Sequence, residues 1–387
     1  MKLIILSGAS DGGICHYTYC LAEALQAQGE DVTVLINNLL PYELANLPHK
    51  HKVKRVLSVG LSPIGRLLIP LRNAAVLLKE ANGTKVIHYQ WPIGPRNDRI
   101  HWRLLHFVNK RIVYTAHDVI PHEPGTPLEK HTRWLHQQAD TVIVHGTALK
   151  KLLIETAGIA SERVNAIPHG NYNFVADRYS KWNRQGARTS FGWSERERAI
   201  LFFGQIFPYK GLDTLIAACG LIKSKEGMIG ERLRLLIAGR PSTPKYWDEA
   251  GFTRQIEEAG LRNQTICITE YIPIEELARY FLAADVVALP YKSGSQSGIL
   301  QLAYAFSKPV LVTDVGSISE VVQNGTTGII VSPNDPAALA DALTRLLINQ
   351  EVACRMGAGG RAYSENELSW EKIAKKTQII YDDMIKR

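Results

Sequence analysis

AILFFGQIFPYKGLDTLIAA, residues Ala199 to Ala218, decides the fold. Ala199–Phe203 is a short apolar run of strand length, and it stops at Gly204. From Leu212 onward the apolar residues recur at helical spacing, so the loop between them joins a buried strand to a helix. The same unit repeats after it. LRLLIA (Leu233–Ala238), TICIT (Thr265–Thr269), DVVAL (Asp285–Leu289), PVLVT (Pro309–Thr313) and GIIV (Gly328–Val331) read as strands. Helices are expected at Leu212–Leu221, Ile274–Ala284, Gly298–Phe306, Ile318–Asn324 and Pro336–Ile348. Strands alternating with helices imply a parallel sheet covered on both faces.

Working back toward the N-terminus, the pattern occurs a second time. Lys2–Leu6 reads as a strand, and a helix follows with Ile14, Tyr17, Leu21 and Leu25 on one face. Asp31–Ile36, Val86–Tyr89, Ile112–Thr115 and Thr141–Val144 are further strands. The expected organisation is a first Rossmann-like domain over 1–176 and a polar, charged linker over 177–198. A second such domain covers 199–365, and a terminal helix over 366–387 returns toward the first. A chain of 387 residues suits two domains. Ligands of such sheets bind at the carboxyl ends of the strands, so two facing sheets place one in the cleft between them.

Composition narrows the class. Hydrophobic residues make up 45% and charged residues 21%, the balance of a folded soluble protein. The apolar run at the N-terminus is too short for a secretory signal, no stretch is long enough to span a bilayer, and the five scattered cysteines form no metal or disulfide pattern. A cytoplasmic location is expected. Net charge is +8, most of it in the first half, including the run His49–Arg55. A basic face attracts anionic lipid or a phosphorylated acceptor, and it is equally what a solvated surface presents. No basic patch is interleaved with stacking aromatics, so nucleic acid is not expected as a partner.

Three loops carry candidate chemistry. Ser10-Asp11-Gly12-Gly13 joins the first strand to the first helix, and its glycines let main-chain N–H groups approach an anion. A plain tight turn needs the same glycines. The loop lacks the G-x-G-x-x-G pattern of dinucleotide enzymes, which argues against an oxidoreductase. In the second loop Gly204 ends a strand and Lys210 stands one residue before Gly211 and a helix, an arrangement suited to a diphosphate. The third, Pro290–Ile299, places Ser295, Gln296, Ser297 and Gly298 ahead of a helix, where amides gather around an anion.

The segments FFGQIFPYKGLDTLIAA, LLIAG, YIPIEELARYFLAADVVALPY and AYAFSKPVLVTDVGSISEVVQNGTTGIIV resemble the donor half of glycosyltransferase family 4, which has the two-domain GT-B fold. GGICHYTYCLAEALQAQGEDVTVL and IPHGNY resemble its acceptor half, and the likeness runs through nearly the whole chain. The resemblance implies a hexosyltransferase that takes its sugar from a nucleotide-diphosphate sugar to a glycan or lipid-linked acceptor, with retention. It places Gly12 and Gly13 near the donor phosphates and Lys210 on the diphosphate. It sets the backbone of Tyr271 and Ile272 beside the base, and the amides of Ser297, Gly298 and Ile299 on the phosphates. His117, in YTAHDV, would hydrogen-bond the donor hexose. His88, His145 and His169 also follow or occupy strands and read as structural.

Two departures stand out. Gly294 and Leu302 occupy the positions of the family's paired glutamates, and Gln205 stands where an arginine is expected. Ser295, Gln296 or Ser297 would then take over hydroxyl recognition. No D-x-D occurs in the chain, so neither metal nor other cofactor is expected, and Lys210 with two helix N-termini would neutralise the leaving group. A GT-B epimerase acting on the nucleotide-sugar, and a non-catalytic partner on a transferase scaffold, are the alternatives. Gly60–Lys79, apolar but carrying Arg66 and Arg72, could lie on an anionic membrane surface or pack as an ordinary helix.

Overall fold

The computed structural model describes residues 1–9, 12–37, 52–57, 63–119, 127–225 and 227–386. The chain divides into two compact units, Met1–Gly170 with Leu368–Arg387, and Asn171–Glu367.

The first unit is built on seven strands: β1 (Lys2–Ser7), β2 (Asp31–Asn37), β3 (Lys52–Leu57), β4 (Val86–Trp91), β5 (Arg111–Thr115), β6 (Thr141–Val144) and β7 (Val164–Ala166). Their order is β3-β2-β1-β4-β5-β6-β7, and every pairing is parallel. Strands covered on both faces must be apolar throughout, and Leu3 to Leu6 are all buried. The chain winds outward from β1 in one direction and from β4 in the other, so the crevice between them is the switch point. Helix Gly12–Ala27 follows β1, and Gly12 supplies its first residue at φ 74°. Helix Trp370–Lys386 packs on this unit, burying Ile373, Ala374, Thr377 and Tyr381.

The second unit has six strands: β8 (Arg198–Phe203), β9 (Leu233–Ala238), β10 (Thr265–Ile268), β11 (Val286–Leu289), β12 (Val310–Thr313) and β13 (Gly328–Val331). The order β10-β9-β8-β11-β12-β13 is again wholly parallel, with its switch point between β8 and β11. Its core joins Ile200, Phe202, Leu235, Ile237 and Val286 of the sheet to Leu215, Leu339 and Leu343 of flanking helices.

The domain boundary differs from the sequence reading. Residues 177–198 are not a free linker, because helix Arg184–Thr189 is anchored into the second unit. Arg188 is 1% exposed, and its guanidinium donates to the carbonyls of Ala283, Ser194 and Glu197 and to Asp285. Arg184 reaches the other Asp285 oxygen at 2.7 Å. Charge in that stretch signalled a buried ion network, and composition alone does not separate the two. Strands β3 and β7 and helix Gln350–Glu367 were also not foreseen. β3 lies in the basic run, whose hydropathy hides its alternation.

Candidate functional site

At the end of β8 the chain turns at Gly204, φ 97°. A side chain there would sit 3.1 Å from Ile299 Cδ1 and 3.3 Å from Lys210 Nζ, so glycine brings these two residues to the strand end. Pro208–Lys210 forms one short 3₁₀ turn. Gly211 follows at φ 69°, and a Cβ on it would lie 2.0 Å from the Pro290 carbonyl oxygen. Only glycine lets the β8 loop close onto the end of β11. The Lys292 N–H then donates to the Tyr209 carbonyl at 2.7 Å, and Lys292 pairs with Asp213 at 2.6 Å.

That closure sets Lys210, 8% exposed, 5.7 Å over the ring of Tyr291. The Tyr291 hydroxyl shares a 3.1 Å hydrogen bond with Ser297 Oγ, and burial pushes its pKa up to about 12 against the smaller opposing effect of that bond. Ser297 therefore spends its hydroxyl on Tyr291 and does not cap helix Gly298–Ala305. The first N–H groups of a helix have no intrahelical acceptor, so this helix begins with uncapped donors. The ring of Tyr172 lies where a Gly298 side chain would be, 3.3 Å away. The Ser295 carbonyl accepts from the Ser317 N–H, while Gln296 Oε1 and Gln301 Oε1 are buried with no hydrogen-bond partner.

The second unit thus gathers Gly204, Lys210, Ser297, Gly298 and Ile299 at its switch point, with Gln205, Ser295 and Gln296 in the same two loops. Tyr271, 52% exposed, and Ile272 stand beyond edge strand β10, two strands away. Tyr291, on which both Lys210 and Ser297 rest, lies in the Pro290–Ile299 loop but has no role in the sequence reading. Its signal was an aromatic directly after the buried strand DVVAL.

Gly12, Gly13 and His117 belong to the first unit. Ser10 and Asp11 lie outside the described residues. His117 follows β5, is 2% exposed, and has both ring nitrogens engaged. Nε2 is 2.9 Å from Gln90 Oε1, and Nδ1 is 3.0 Å from His145 Nε2. The chain continues at both ends. His145 Nδ1 meets the Ile167 carbonyl at 3.2 Å, and Gln90 Nε2 meets His88 Nε2 at 3.1 Å. His88 Nδ1 is 2.6 Å from the Tyr381 hydroxyl. The ring of Tyr17 lies edge-on to His117, centroids 4.8 Å apart, and 5.0 Å from His169 and from Trp370.

Burial, with the nearby His145, His169 and His88 adding to it, holds His117 well below the usual imidazole range. Burial lowers His88 and His145 to about 3 and His169 to about 4. These rings are neutral, and a carbonyl can only accept. His145 therefore donates from Nδ1 to Ile167 and accepts at Nε2 from His117 Nδ1–H. The lone pair at His117 Nε2 then needs a donor, which Gln90 provides once its amide turns over to present NH₂. Every link from Tyr381 to Ile167 is then satisfied with one direction of donation.

Among the described residues no three His, Cys, Asp or Glu side chains are grouped to hold a metal ion, all five cysteines are free, and no helix is long and apolar enough to cross a membrane.

Two parallel doubly wound units are the architecture of the GT-B glycosyltransferases. Residues 11–170 match the family model described as Glycosyltransferase Family 4, and residues 183–363 match that described as Glycosyl transferases group 1. The chain belongs to this family of glycosyltransferases. It is 25% identical to a D-inositol 3-phosphate glycosyltransferase of Corynebacterium glutamicum, across 97% of this chain and 92% of that one. It is 31% identical to the protein of that name from Nocardia farcinica, where the match spans 62% of this chain and about half (51%) of the relative's length. Among solved structures, the sucrose-phosphate synthase of Thermosynechococcus elongatus has the same fold, with a TM-score of 0.76 at 21% identity over 100% of this chain and 99% of that one. So has Anabaena HepE in complex with UDP-glucose, TM-score 0.77 at 18% identity, over 99% and 100%.

Proposed function

We propose that this chain transfers a hexose from a nucleotide-diphosphate sugar to a hydroxyl of a glycan or lipid-linked acceptor, without a metal ion. One observation carries the reading: a lysine, an uncapped helix start and a buried Tyr–Ser pair meet at the switch point of the second unit. As the sugar–oxygen bond breaks, negative charge collects on the departing diphosphate. An ammonium and fixed amide dipoles stabilise that charge with no reorganisation at the moment of reaction. One charge-assisted hydrogen bond contributes about 1.5–3 kcal/mol. Gln296 and Gln301, each with a buried side-chain oxygen that has no partner, are the groups proposed to meet sugar hydroxyls in place of the family's glutamates.

The role that the family pattern gives His117, a hydrogen bond to the donor hexose, requires one ring nitrogen to exchange Gln90 or His145 for the sugar. Retention of anomeric configuration is proposed from the family pattern. The relatives' name makes a phosphorylated inositol the first soluble acceptor to assay, and the UDP-glucose held by HepE makes UDP-glucose the first donor.

Melting the protein with UDP, GDP, ADP and their sugars tests the donor, since a ligand of the folded state raises the melting temperature by mass action. Stabilisation by one nucleotide and its loss in Lys210→Ala are expected. If none of them stabilises the protein, the reading fails. Full activity after chelation is the expected result for metal independence, and strict loss in EDTA overturns it. Conversion of the donor with no acceptor present would favour the epimerase.

A further inference from the structure

Helix Pro95–Phe107 presents an unusual outer face. Asp98, His101, Trp102 and Leu105 point inward and are buried. Arg96, Arg99, Arg103 and Phe107 are exposed, at the spacing that lines up one stripe on the opposite side. The helix has one acid, Asp98, and it is 0% exposed. Its carboxylate accepts from the Ile93 and Gly94 amides and lies 2.8 Å from His131 Nε2. The helix's own negative charge is thus consumed inside, and the nearest acid at its C-terminal end, Asp140, is taken up by His106 and Arg111, each at 3.2 Å. Among the described residues none of the three arginines has an ion-pair partner, while Arg99 lies 5.7 Å over the Trp134 ring.

The stripe ends in apolar side chains with no cover. Phe107 is 84% exposed and Val108 39%, and Asn109, at φ 54°, turns the chain there into Lys110 and Arg111. Those two are held by the Thr84 carbonyl and Asp140, which leaves the charge of the face to the three arginines. The neighbouring helix Pro63–Glu80, tied to this one by Asn73 Nδ2 donating to Asn97 Oδ1 at 3.2 Å, exposes Leu71 at 59%. The C-terminal half of that helix otherwise packs inward through Asn73, Ala74 and Leu77.

We propose that this face of the first unit docks on an anionic bilayer, the arginines against lipid headgroup phosphates and Phe107 in the interface. Charge complementarity selects the partner's sign, and the exposed phenyl selects its kind. An anionic surface with an apolar layer beneath gains from both, whereas nucleic acid backbone gains only from the cations. Each arginine in contact contributes about fivefold to partition, screened by salt, because the attraction decays within a Debye length. The proposal goes beyond the transfer reaction and uses no residue of the donor cradle.

The full chain is sedimented with phosphatidylcholine vesicles, with and without phosphatidylglycerol, over a salt series. Binding to the phosphatidylglycerol vesicles alone is expected, weakening as salt rises. R96E/R99E/R103E should abolish it, and R96Q/R99Q/R103Q should weaken it about a hundredfold. F107S should weaken it with an unchanged salt slope. Nucleotide-induced melting shifts are measured on each variant. They should stay as in the wild type, so loss of the shift in every protein would count against the donor reading and leave the docking result to stand alone. The proposal is overturned if the wild type stays in solution with anionic vesicles, if the charge-reversed protein binds as the wild type does, or if duplex DNA binds as tightly as the vesicles.

Discussion

The strand ends of the two sheets share a topology and use their polar groups in opposite ways. In the first unit, Tyr381, His88, Gln90, His117, His145 and the Ile167 carbonyl satisfy one another in a continuous line. In the second, Gln296 and Gln301 keep unpaired oxygens, and the helix after Ser297 starts without a cap. A finished network spends its hydrogen bonds on rigidity, while an unfinished one holds them ready for a ligand. Under the proposed function, the same winding rule gives one strand end whose polar groups pair with one another and one whose polar groups are left for the donor.

Acidity should break the comparison most strongly. All twelve histidines lie before residue 171, so the second unit has none. Burial lowers His88 and His145 to about 3, and His16, His136 and His169 to about 4, against an ordinary 6.5. The unfolded chain takes up these protons first. The stability they lend is complete above about pH 6.5 and drains as the pH falls toward 4, by about 1.4 kcal/mol per pH unit for each ring. Melts at neutral pH and near pH 5, with hydrogen-exchange protection followed segment by segment, should show the first unit loosening while Asn171–Glu367 holds. Equal loss in both units would refute the assignment.

Lys210→Ala sharpens the contrast from the other side. Removing one charge-assisted bond of about 1.5–3 kcal/mol should lower kcat/KM about 10- to 100-fold, while loss of the Tyr291 contact should cost the free protein only about 1 kcal/mol in a thermal melt. Gln90→Leu should do the reverse. It strands a ring nitrogen in the buried line, costs about 1–3 kcal/mol in a thermal melt, and leaves the nucleotide-induced shift unchanged. A normal melting temperature in Gln90→Leu would mean that the line is not closed. Ser297→Ala should have the smallest effect, about 1 kcal/mol, from loss of the Tyr291 bond. Its readout is tyrosine absorbance against pH, where the Tyr291 phenol, held up to about 12 by burial, should titrate higher still once Ser297 no longer opposes the shift.

Much of this was legible beforehand, for identifiable reasons. Buried parallel strands such as Ala199–Phe203 and Asp285–Leu289 are continuous apolar runs, and a run of that kind survives inspection of the sequence alone. Lys210 and the Ser295–Ile299 loop were visible because glycines and hydroxyl residues between strand and helix are costly anywhere that backbone approach is not needed. Arg188 was not, because a buried guanidinium and a solvated one are the same letter. The histidine line was also hidden. Its members sit on β4, just after β5, β6 and β7, and on helix Trp370–Lys386, and His88 and Tyr381 are 293 positions apart. The arginine stripe is hidden for the same reason as Arg188: Arg96, Arg99 and Arg103 read alike whether paired or bare, and only the fold shows them exposed on one face.

Helix Trp370–Lys386 closes the first unit although almost two hundred residues of the second are made before it. Trp370 fills the space beside Gly170, where a Cβ would come within 2.5 Å of its ring, and Tyr381 ends the histidine line. During synthesis the N-terminal sheet therefore emerges from the ribosome with its last layer missing and His88 short of its tyrosine. Such a chain has to hold an incomplete domain in reserve while a complete one folds behind it. The final helix then acts as a latch, and chains cut short before residue 368 would carry a first unit that never sets.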